Sequence, residues 1–433
     1  YGDHRDLHRL IRRQRQMCIR DRNRTFKQLV DECNKRNIKI PEKNTKQTLI
    51  KLLGNKSLQE MSYVPWGLRA RLRIDNPMLC FPYKRLNKFE RYNLWESKDW
   101  ALEEKFDGVR VIITYNPHEG FMFFSRNVSV NTFLPTDYTN NILLYNDNTG
   151  KFTTPDFWAY RLGEHSFVLD SEMMITDNIN TEEFTYRGGK TGTGLNACTS
   201  ILTLDSKSAH EIQRTQAHVY FNVFDCLEYD DCLIWTKSFK ERIGYLNGVC
   251  KNLKYLQFKQ SKVVYINKRE FYNTVIKNGG EGVIFKRLDS PYYPTSTRRR
   301  DGFVKLKRSV KEAYGKDIDV FVSGYVEATK GKAWDGLIGG LKLSIILGGG
   351  YHWIATVTTM PLEIRKRISE IKDGKPVLKK QYYNKVITID GQDLSPKSLR
   401  FMHAVADWDV GFREDKNWYD CTMELDFLKS QVL

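Results

Sequence analysis

The sequence predicts an α+β fold dominated by antiparallel sheet, with a small helical module ahead of it and a small closed β-barrel behind. Three observations carry that reading. Between residues 76 and 309 the apolar side chains fall into short strand-like runs, interrupted by single helical patterns such as Lys268–Lys277. Before that stretch, Phe26, Leu29, Val30 and Cys33 recur at the i, i+3, i+4, i+7 spacing of one helix face, and Leu49, Ile50, Leu52 and Leu53 form a second such stripe. After it, from Asp317 on, about 115 residues again read as short strands separated by glycine turns, which suits a small barrel.

Taken in order, residues 1–24 hold eight arginines and three aspartates with little apolar periodicity and no starting Met, and are expected to be a basic, disordered or non-native extension. Residues 25–60 then give two helices around the extended Asn37-Ile38-Lys39-Ile40-Pro41. Thr25 caps the first, Asn44 or Thr45 the second, and Gly54 suits the position that ends it. Strands are expected at 100–104, 109–115, 120–125, 167–175, 219–227, 282–286 and 302–307, with the turn Asn116-Pro117-His118-Glu119-Gly120 joining the second to the third. The last block gives strands at 320–325, 340–346 and 351–358 and one helix at 362–371. The domains therefore run 25–60, 61–312 and 313–433.

Composition narrows the function classes. The 433 residues carry 69 Lys and Arg against 52 Asp and Glu, a formal charge of +17, and about half of that excess lies in residues 1–64. A surplus of this size favours a polyanionic partner, because basic side chains displace counterions condensed on phosphates. No apolar run approaches the ~20 residues of a membrane span, so no membrane partner is expected. The eight cysteines contain no C-x-x-C pair, against both a zinc ribbon and a disulfide scaffold, and read as reduced thiols of an intracellular protein.

Chemistry begins at Glu103-Glu104-Lys105-Phe106-Asp107-Gly108-Val109-Arg110, where a lysine stands at a strand-to-turn junction. Lysine attacks only as the neutral amine, and burial and neighbouring cations favour that form. K-x-D-G alone is weak. Downstream, however, come in order Ser125-Arg126-Asn127, Leu169-Asp170-Ser171-Glu172, Phe221-Asn222-Val223-Phe224-Asp225, Glu281-Gly282-Val283-Ile284-Phe285-Lys286, Val304-Lys305-Leu306-Lys307 and Arg413-Glu414-Asp415-Lys416. With this ordered set over 103–416 the sequence resembles the covalent nucleotidyltransferase superfamily and, within it, the ATP-dependent DNA ligases. Tyr186-Arg187-Gly188-Gly189-Lys190-Thr191-Gly192-Thr193-Gly194-Leu195-Asn196 resembles an insertion in ligases of the T-even phage type; it lacks the G-K-[ST] ending of a phosphate loop and reads as a mobile surface loop. Residues 25–60 resemble a SAP-type DNA-binding module, shorter than the helical domain expected in that phage type.

The resemblance implies an antiparallel, ATP-grasp-like nucleotidyltransferase core over 61–312 and an OB-fold over 313–433. Lys105 would take AMP from ATP, with Asp107 beside it. Glu103 would accept from the adenine amine and Phe224 would stack on the ring. Arg110 and Arg126 would grip ribose or phosphate, while Glu172 and Glu281 would bind ribose and Mg²⁺. Lys286 would bind the nucleotide, and Lys305 and Lys307 would neutralise phosphate charge. Arg299 occupies an upstream arginine position inside the run Arg298-Arg299-Arg300, and Phe303 stands where many ligases have tryptophan. Asp170 is read as a structural partner, and Asp225 as a surface or turn residue. Arg413, Asp415 and Lys416 would orient pyrophosphate. The implied cofactors are ATP and Mg²⁺. The implied partner is nicked double-stranded DNA, met by a monomer in the cytoplasm of a prokaryotic host, a nucleus or a virus factory, in replication, repair or recombination. An RNA ligase, an mRNA guanylyltransferase and a catalytically dead DNA-binding scaffold are the alternatives.

Overall fold

The structure, a computed structural model, describes residues 25–42, 45–74, 76–129, 131–175, 185–186, 190–191, 194–216, 218–254, 256–294, 298–308, 318–329, 331, 334–347, 349–390, 393–394, 399–400, 405–408 and 411–422. The basic stretch 1–24 and the cap candidate Asn44 lie outside them. Two compact units divide the chain. One runs up to Tyr272 and adds Val283–Leu306; the other joins Asn273–Gly282 to the residues from Lys307 on.

In the first unit, α1 (Phe26–Lys35) starts at Thr25, whose side chain accepts from the Gln28 amide while Gln28 answers on the Thr25 amide, a reciprocal cap. Thr45 caps α2 (Lys46–Gln59). Gly54 does not end this helix. It lies inside α2, where a Cβ would stand 2.6 Å from the Phe133 carbonyl oxygen, so the glycine serves close approach and not termination. Leu29, Cys33, Leu49 and Leu53 close around Phe133, which ties the hairpin to the body of the unit.

There follow α3 (Trp66–Arg73), β1 (Leu79–Pro82), α4 (Lys88–Glu96), β2 (Trp100–Glu104), β3 (Val109–Asn116), β4 (Gly120–Val128), β5 (Pro135–Asp137), β6 (Leu144–Asn146), β7 (Lys151–Thr153), β8 (Phe167–Ile175), β9 (Thr185–Tyr186), β10 (Lys190–Thr191), α5 (Gly194–Thr203), α6 (Ser206–Thr215), β11 (Val219–Tyr229), β12 (Cys232–Leu233), α7 (Phe239–Asn252), β13 (Phe258–Gln260), α8 (Lys268–Lys277), β14 (Gly282–Arg287) and β15 (Arg298–Lys307). One sheet has the order β12-β11-β8-β3-β4-β5, with β13 also on β11; a second has the order β1-β15-β14-β2. The pairs β12–β11, β11–β8, β8–β3, β3–β4, β4–β5 and β14–β2 are antiparallel, whereas β1 with β15 and β13 with β11 are parallel. Residues of both sheets, among them Val111, Leu169, Phe221 and Phe303, share one core with Tyr292 from the segment between β14 and β15. The end of the glycine-rich stretch departs from the loop expected there: Gly194 opens α5, because Ala197, Cys198 and Ile201 are buried in that core.

The second unit carries β16 (Ile318–Glu327), β17 (Ile338–Leu347), β18 (Gly350–Val357), α9 (Leu362–Ile368), β19 (Ser369–Lys372), β20 (Lys375–Leu378), β21 (Val386–Asp390), β22 (Asp393–Leu394), β23 (Leu399–Arg400) and β24 (Val405–Ala406). Its main sheet has the order β18-β17-β16-β21-β24, an open path among the described residues, over a core that includes Val320, Leu341, Ile354 and Ile387. The helix expected at 362–371 stops at Ile368. Ser369–Lys372 instead pairs with β20 through Asp373 (φ 52°) and Gly374 (φ 73°), two left-handed residues in succession, as a tight hairpin turn requires.

Candidate active site

The loop after β2 carries Lys105, whose Nζ lies 3.3 Å from the Phe106 carbonyl oxygen. Three residues on, Gly108 passes so close to β8 that a Cβ would meet the Met173 carbonyl oxygen at 2.1 Å and the Glu172 Cγ at 3.1 Å. Glycine at that point is what lets the lysine-bearing turn rest on the strand that carries Glu172.

Strand register assembles the polar face beside it. Arg110 of β3 pairs with Glu172 of β8, which pairs with Asn222 of β11, so the three share one face of the sheet. Two residues along β8, Asp170 pairs with Ile112 and with Asp225. Between Val223 and Asp225 the register shifts, leaving Phe224 as the extra residue of a bulge. Its ring lies 4.8 Å from Lys286 Nζ and 5.6 Å from the Arg110 guanidinium carbon.

Lys286 is only 1% exposed. Its ammonium donates to Glu103 Oε2 at 2.9 Å and to the Phe224 carbonyl at 2.8 Å, within a cage of Phe224, Phe239 and Phe303 rings at 4.7–4.8 Å. Phe303, standing where tryptophan is common in the resembled family, is thus a wall of that cage. Burial raises the Glu103 carboxyl above its ordinary range, although Lys286 pulls it down. Glu103 Oε1 is buried and has no hydrogen-bond partner.

Arg110 is held by a bidentate fork on Asp170 at 2.8 and 2.5 Å and donates to the Met78 carbonyl at 2.7 Å. Tyr292 joins the pair: its hydroxyl donates to Asp170 at 2.7 Å and accepts from the Met78 amide at 2.8 Å and from Arg110 at 3.2 Å. Burial lowers the Arg110 pKa, but Asp170 and its hydrogen bonds more than offset that and leave it well above normal. Asp225 is fully buried, not at a surface or turn, and forks with Arg242 at 2.7 and 2.9 Å. Sequence reasoning misses this second pair because buried charges are rare and nothing in the local pattern of α7 marks Arg242. Buried Arg71 is missed too; it donates to the Ser125 and Arg126 carbonyls at 3.1 and 2.6 Å and so fixes the backbone that presents Arg126.

The Arg126 side chain is exposed, within electrostatic reach of Arg110, Glu172 and Asp170. Lys305, on β15 opposite Pro82, acts together with Lys105, Arg110 and Lys286 on the thiol of Cys80, which burial nevertheless pushes up. All four cations therefore lie within electrostatic reach of one thiol. Asp107 and Glu172 both act on buried Cys198, whose thiol burial raises to about 12. Arg299 forks with Asp301 at 3.0 and 2.8 Å and covers the Tyr293 ring at 4.2 Å, an exposed arrangement.

In the second unit, Glu281 pairs with Lys307. Arg413 forks with Asp415 at 2.8 and 2.6 Å, which holds the Asp415 carboxyl at about 2. Asp319 of β16, unmarked in the sequence, pairs with Lys416 and accepts from the Thr388 hydroxyl at 2.6 Å. The seven described cysteines are unpaired. Among the described residues no cluster of three or more His, Cys, Asp or Glu side chains forms a metal site, and no helix is long and apolar enough to cross a membrane.

The Cys80 thiol thus feels four cations, the turn lysine among them, and the buried Glu103 Oε1 lacks a partner on the carboxylate that Lys286 holds beside the Phe224 ring. Residues 77–307 match the family model described as "ATP dependent DNA ligase domain", and the chain belongs to that family. It is similar to "DNA ligase 4" of Candida glabrata, 25% identical over 245 residues, 55% of this chain and 24% of that protein. It is also similar to "Probable DNA ligase" of Dictyoglomus turgidum, 25% identical over 412 residues, 83% of this chain and 61% of the other. The chain thus spans about a quarter of the length of the first relative. Among solved structures, the ATP-dependent DNA ligase from bacteriophage T7 in complex with ATP matches at 17% identity and a TM-score of 0.38, covering 78% of this chain and 98% of that one.

Proposed function

We propose that this protein seals nicks in duplex DNA at the expense of ATP. Lys105 Nζ attacks the α-phosphorus, a P–N bond forms and the P–O bond to pyrophosphate breaks. An oxygen of the DNA 5′-phosphate then displaces the lysine to give a DNA-adenylate. Finally the 3′-hydroxyl attacks the 5′ phosphorus and AMP departs. The observation that carries the proposal is that Lys105, Arg110, Lys286 and Lys305 all lie within electrostatic reach of Cys80, with Lys286 held between the Phe224 ring and the Glu103 carboxylate, whose other oxygen is unsatisfied. Cations so placed stabilise the charge on the transferring phosphate, the main catalytic demand of phosphoryl transfer.

In this reading Glu103 accepts from the adenine amine, Phe224 covers the ring, and Arg110 and Arg126 face ribose and phosphate. Arg299 approaches the nucleotide by leaving Asp301, and Lys307 by leaving Glu281. Mg²⁺ usually takes one or two carboxylates plus substrate phosphates. Glu172, a partly exposed carboxylate aligned with Arg110, fits that donor set; Glu281 would join it by exchanging its Lys307 partner. The ion would neutralise phosphate charge. Arg413, Asp415 and Lys416 would orient pyrophosphate. An OB-fold for the second unit is supported by β16, which pairs with β17 and also with β21 beyond helix α9, the returning connection of a Greek-key barrel. The SAP-like role of 25–60 rests on exposed Lys27, Lys35, Lys39 and Lys46. The kinship of the glycine-rich stretch to T-even phage ligases, a monomeric state and an intracellular place in DNA replication, repair or recombination complete the proposal.

The test is incubation with ATP or GTP radiolabelled on the α-phosphate, beside Lys105→Ala. Label from ATP that vanishes in the variant is expected, followed by sealing of nicked duplex. Label from GTP would move the protein to cap synthesis, and none from either would leave a DNA-binding scaffold.

A further inference from the structure

The Ser261 hydroxyl lies against the Glu103 carboxylate, and nothing in the sequence marks it. Ser261 follows β13, and its amide donates to the Val223 carbonyl at 2.8 Å, one residue before Phe224. Three residues further on, Val264 exchanges two 2.8 Å hydrogen bonds with Leu102, one residue before Glu103. The segment 261–264 therefore bridges the strand that carries the aromatic ring and the strand that carries the carboxylate. The side chain of Ser261 is 4% exposed and that of Glu103 1%. The hydroxyl is near enough to hold the Glu103 pKa down, yet neither Ser261 Oγ nor Glu103 Oε1 completes a hydrogen bond. Lys286 occupies only the other carboxylate oxygen.

Two adjacent, buried and unsatisfied polar atoms beside an aromatic ring are costly unless a ligand completes them. Oε1 of an ionised carboxylate can only accept; a serine hydroxyl can donate. Adenine offers the complement, an exocyclic amine that donates beside a ring nitrogen that accepts. Guanine in the same pose puts a carbonyl oxygen against the carboxylate, and its protonated N1 cannot accept from the hydroxyl.

We propose that Ser261 is a base-specificity residue: its hydroxyl donates to the ring nitrogen adjacent to the adenine amine, while Glu103 Oε1 accepts from the amine itself. The assignment rests on the adenylation reading above and names the group that separates ATP from GTP within it. Glu103 alone rejects the guanine carbonyl, and Ser261 supplies the second half of the code.

The experiment compares lysyl-nucleotide formation from ATP, 1-deaza-ATP, 7-deaza-ATP and GTP in wild type, Ser261→Ala and Ser261→Thr. In wild type, 1-deaza-ATP should lose about tenfold in kcat/KM, the size of one buried hydrogen bond, because it leaves the hydroxyl unpaired, while 7-deaza-ATP should react like ATP. Ser261→Ala should raise the KM for ATP about tenfold with kcat nearly unchanged and react with 1-deaza-ATP and ATP alike. Ser261→Thr, which keeps the hydroxyl, should restore the preference, an outcome that a packing role would not give. If wild type uses 1-deaza-ATP as well as ATP, or if Ser261→Ala keeps the full penalty, the assignment of Ser261 is overturned while adenylation by Lys105 stands. Wild type that takes no label from any nucleotide overturns the adenylation reading, and the assignment with it.

Discussion

Gly108 offers the sharpest test of how the reactive turn is held. Replacing it with alanine places a Cβ 2.1 Å from the Met173 carbonyl oxygen, 2.6 Å from the Met174 sulfur and 3.1 Å from the Glu172 Cγ. Ordinary contact begins near 3.4 Å. The nearest obstacle is the backbone of β8, which is paired with β3 on one side and β11 on the other, so the turn and not the strand has to yield, by about 1 Å. That displacement is passed to Lys105, three residues away, and a misplacement of about 1 Å at a reacting group costs on the order of 100-fold in rate. Overpacking of this kind also lowers stability by about 1–3 kcal/mol. Single-turnover formation of the lysyl adenylate measures the first effect and thermal denaturation the second. Gly244→Ala is the control: Gly244 lies inside α7 with nothing within 4 Å of an added Cβ, so the substitution should leave adenylation intact and stabilise the protein by up to about 1 kcal/mol. Wild-type adenylation by Gly108→Ala would refute the argument that close approach to β8 positions the lysine.

Three further outcomes follow from the ion pairs. Asp225→Asn leaves the Arg242 guanidinium fully buried without its counter-charge and should cost about 3–5 kcal/mol in denaturant melts; a loss below about 1 kcal/mol would mean the pair is not the buried fork described. Glu228, its side chain buried against Arg73, has its carboxyl pushed up by burial to about 7. With an unfolded value near 4.3, the folded state holds the extra proton between the two, so stability should fall as pH rises through about 7, by roughly 1–3 kcal/mol in all. Glu228→Gln should flatten that slope in Tm measured from pH 5 to 8, and an unchanged slope would assign it elsewhere. Lys416→Ala, which strips Asp319 of its ammonium partner, should slow formation of the enzyme adenylate far more than sealing of DNA that already carries a 5′ adenylate; equal losses in both assays would contradict a role confined to pyrophosphate.

The strands that build the site were legible as short apolar runs, and Trp100–Glu104 and Phe167–Ile175 begin and end where those runs were expected to. What pattern reading could not reach is the buried charge. Arg71, Arg242 and Asp225 are all buried, yet a charge in a sequence reads as solvent-facing unless its partner is known, and the partners here stand 17 residues apart or are carbonyls. Gly54 shows the same limit in another form, since a glycine that stops a helix and one that admits a neighbouring carbonyl are written identically.

Those hidden partners change what the motif cations can do. Arg110 rests on Asp170, Lys307 on Glu281, Arg413 on Asp415 and Lys416 on Asp319. A phosphate that engages one of them exchanges an existing charge pair for another, so the net gain in binding is smaller than a count of cations suggests. The return is geometric, because a guanidinium held in a bidentate fork keeps its plane and its remaining N–H vectors fixed before substrate arrives. Arg110 illustrates the division: Asp170 takes Nε and one terminal nitrogen, Met78 the other, and the face of the guanidinium lies toward the Phe224 ring. It follows that Arg110 and Asp170 act as one unit, and Asp170→Asn should impair adenylation about as severely as Arg110→Ala, with the double variant no worse than either single one.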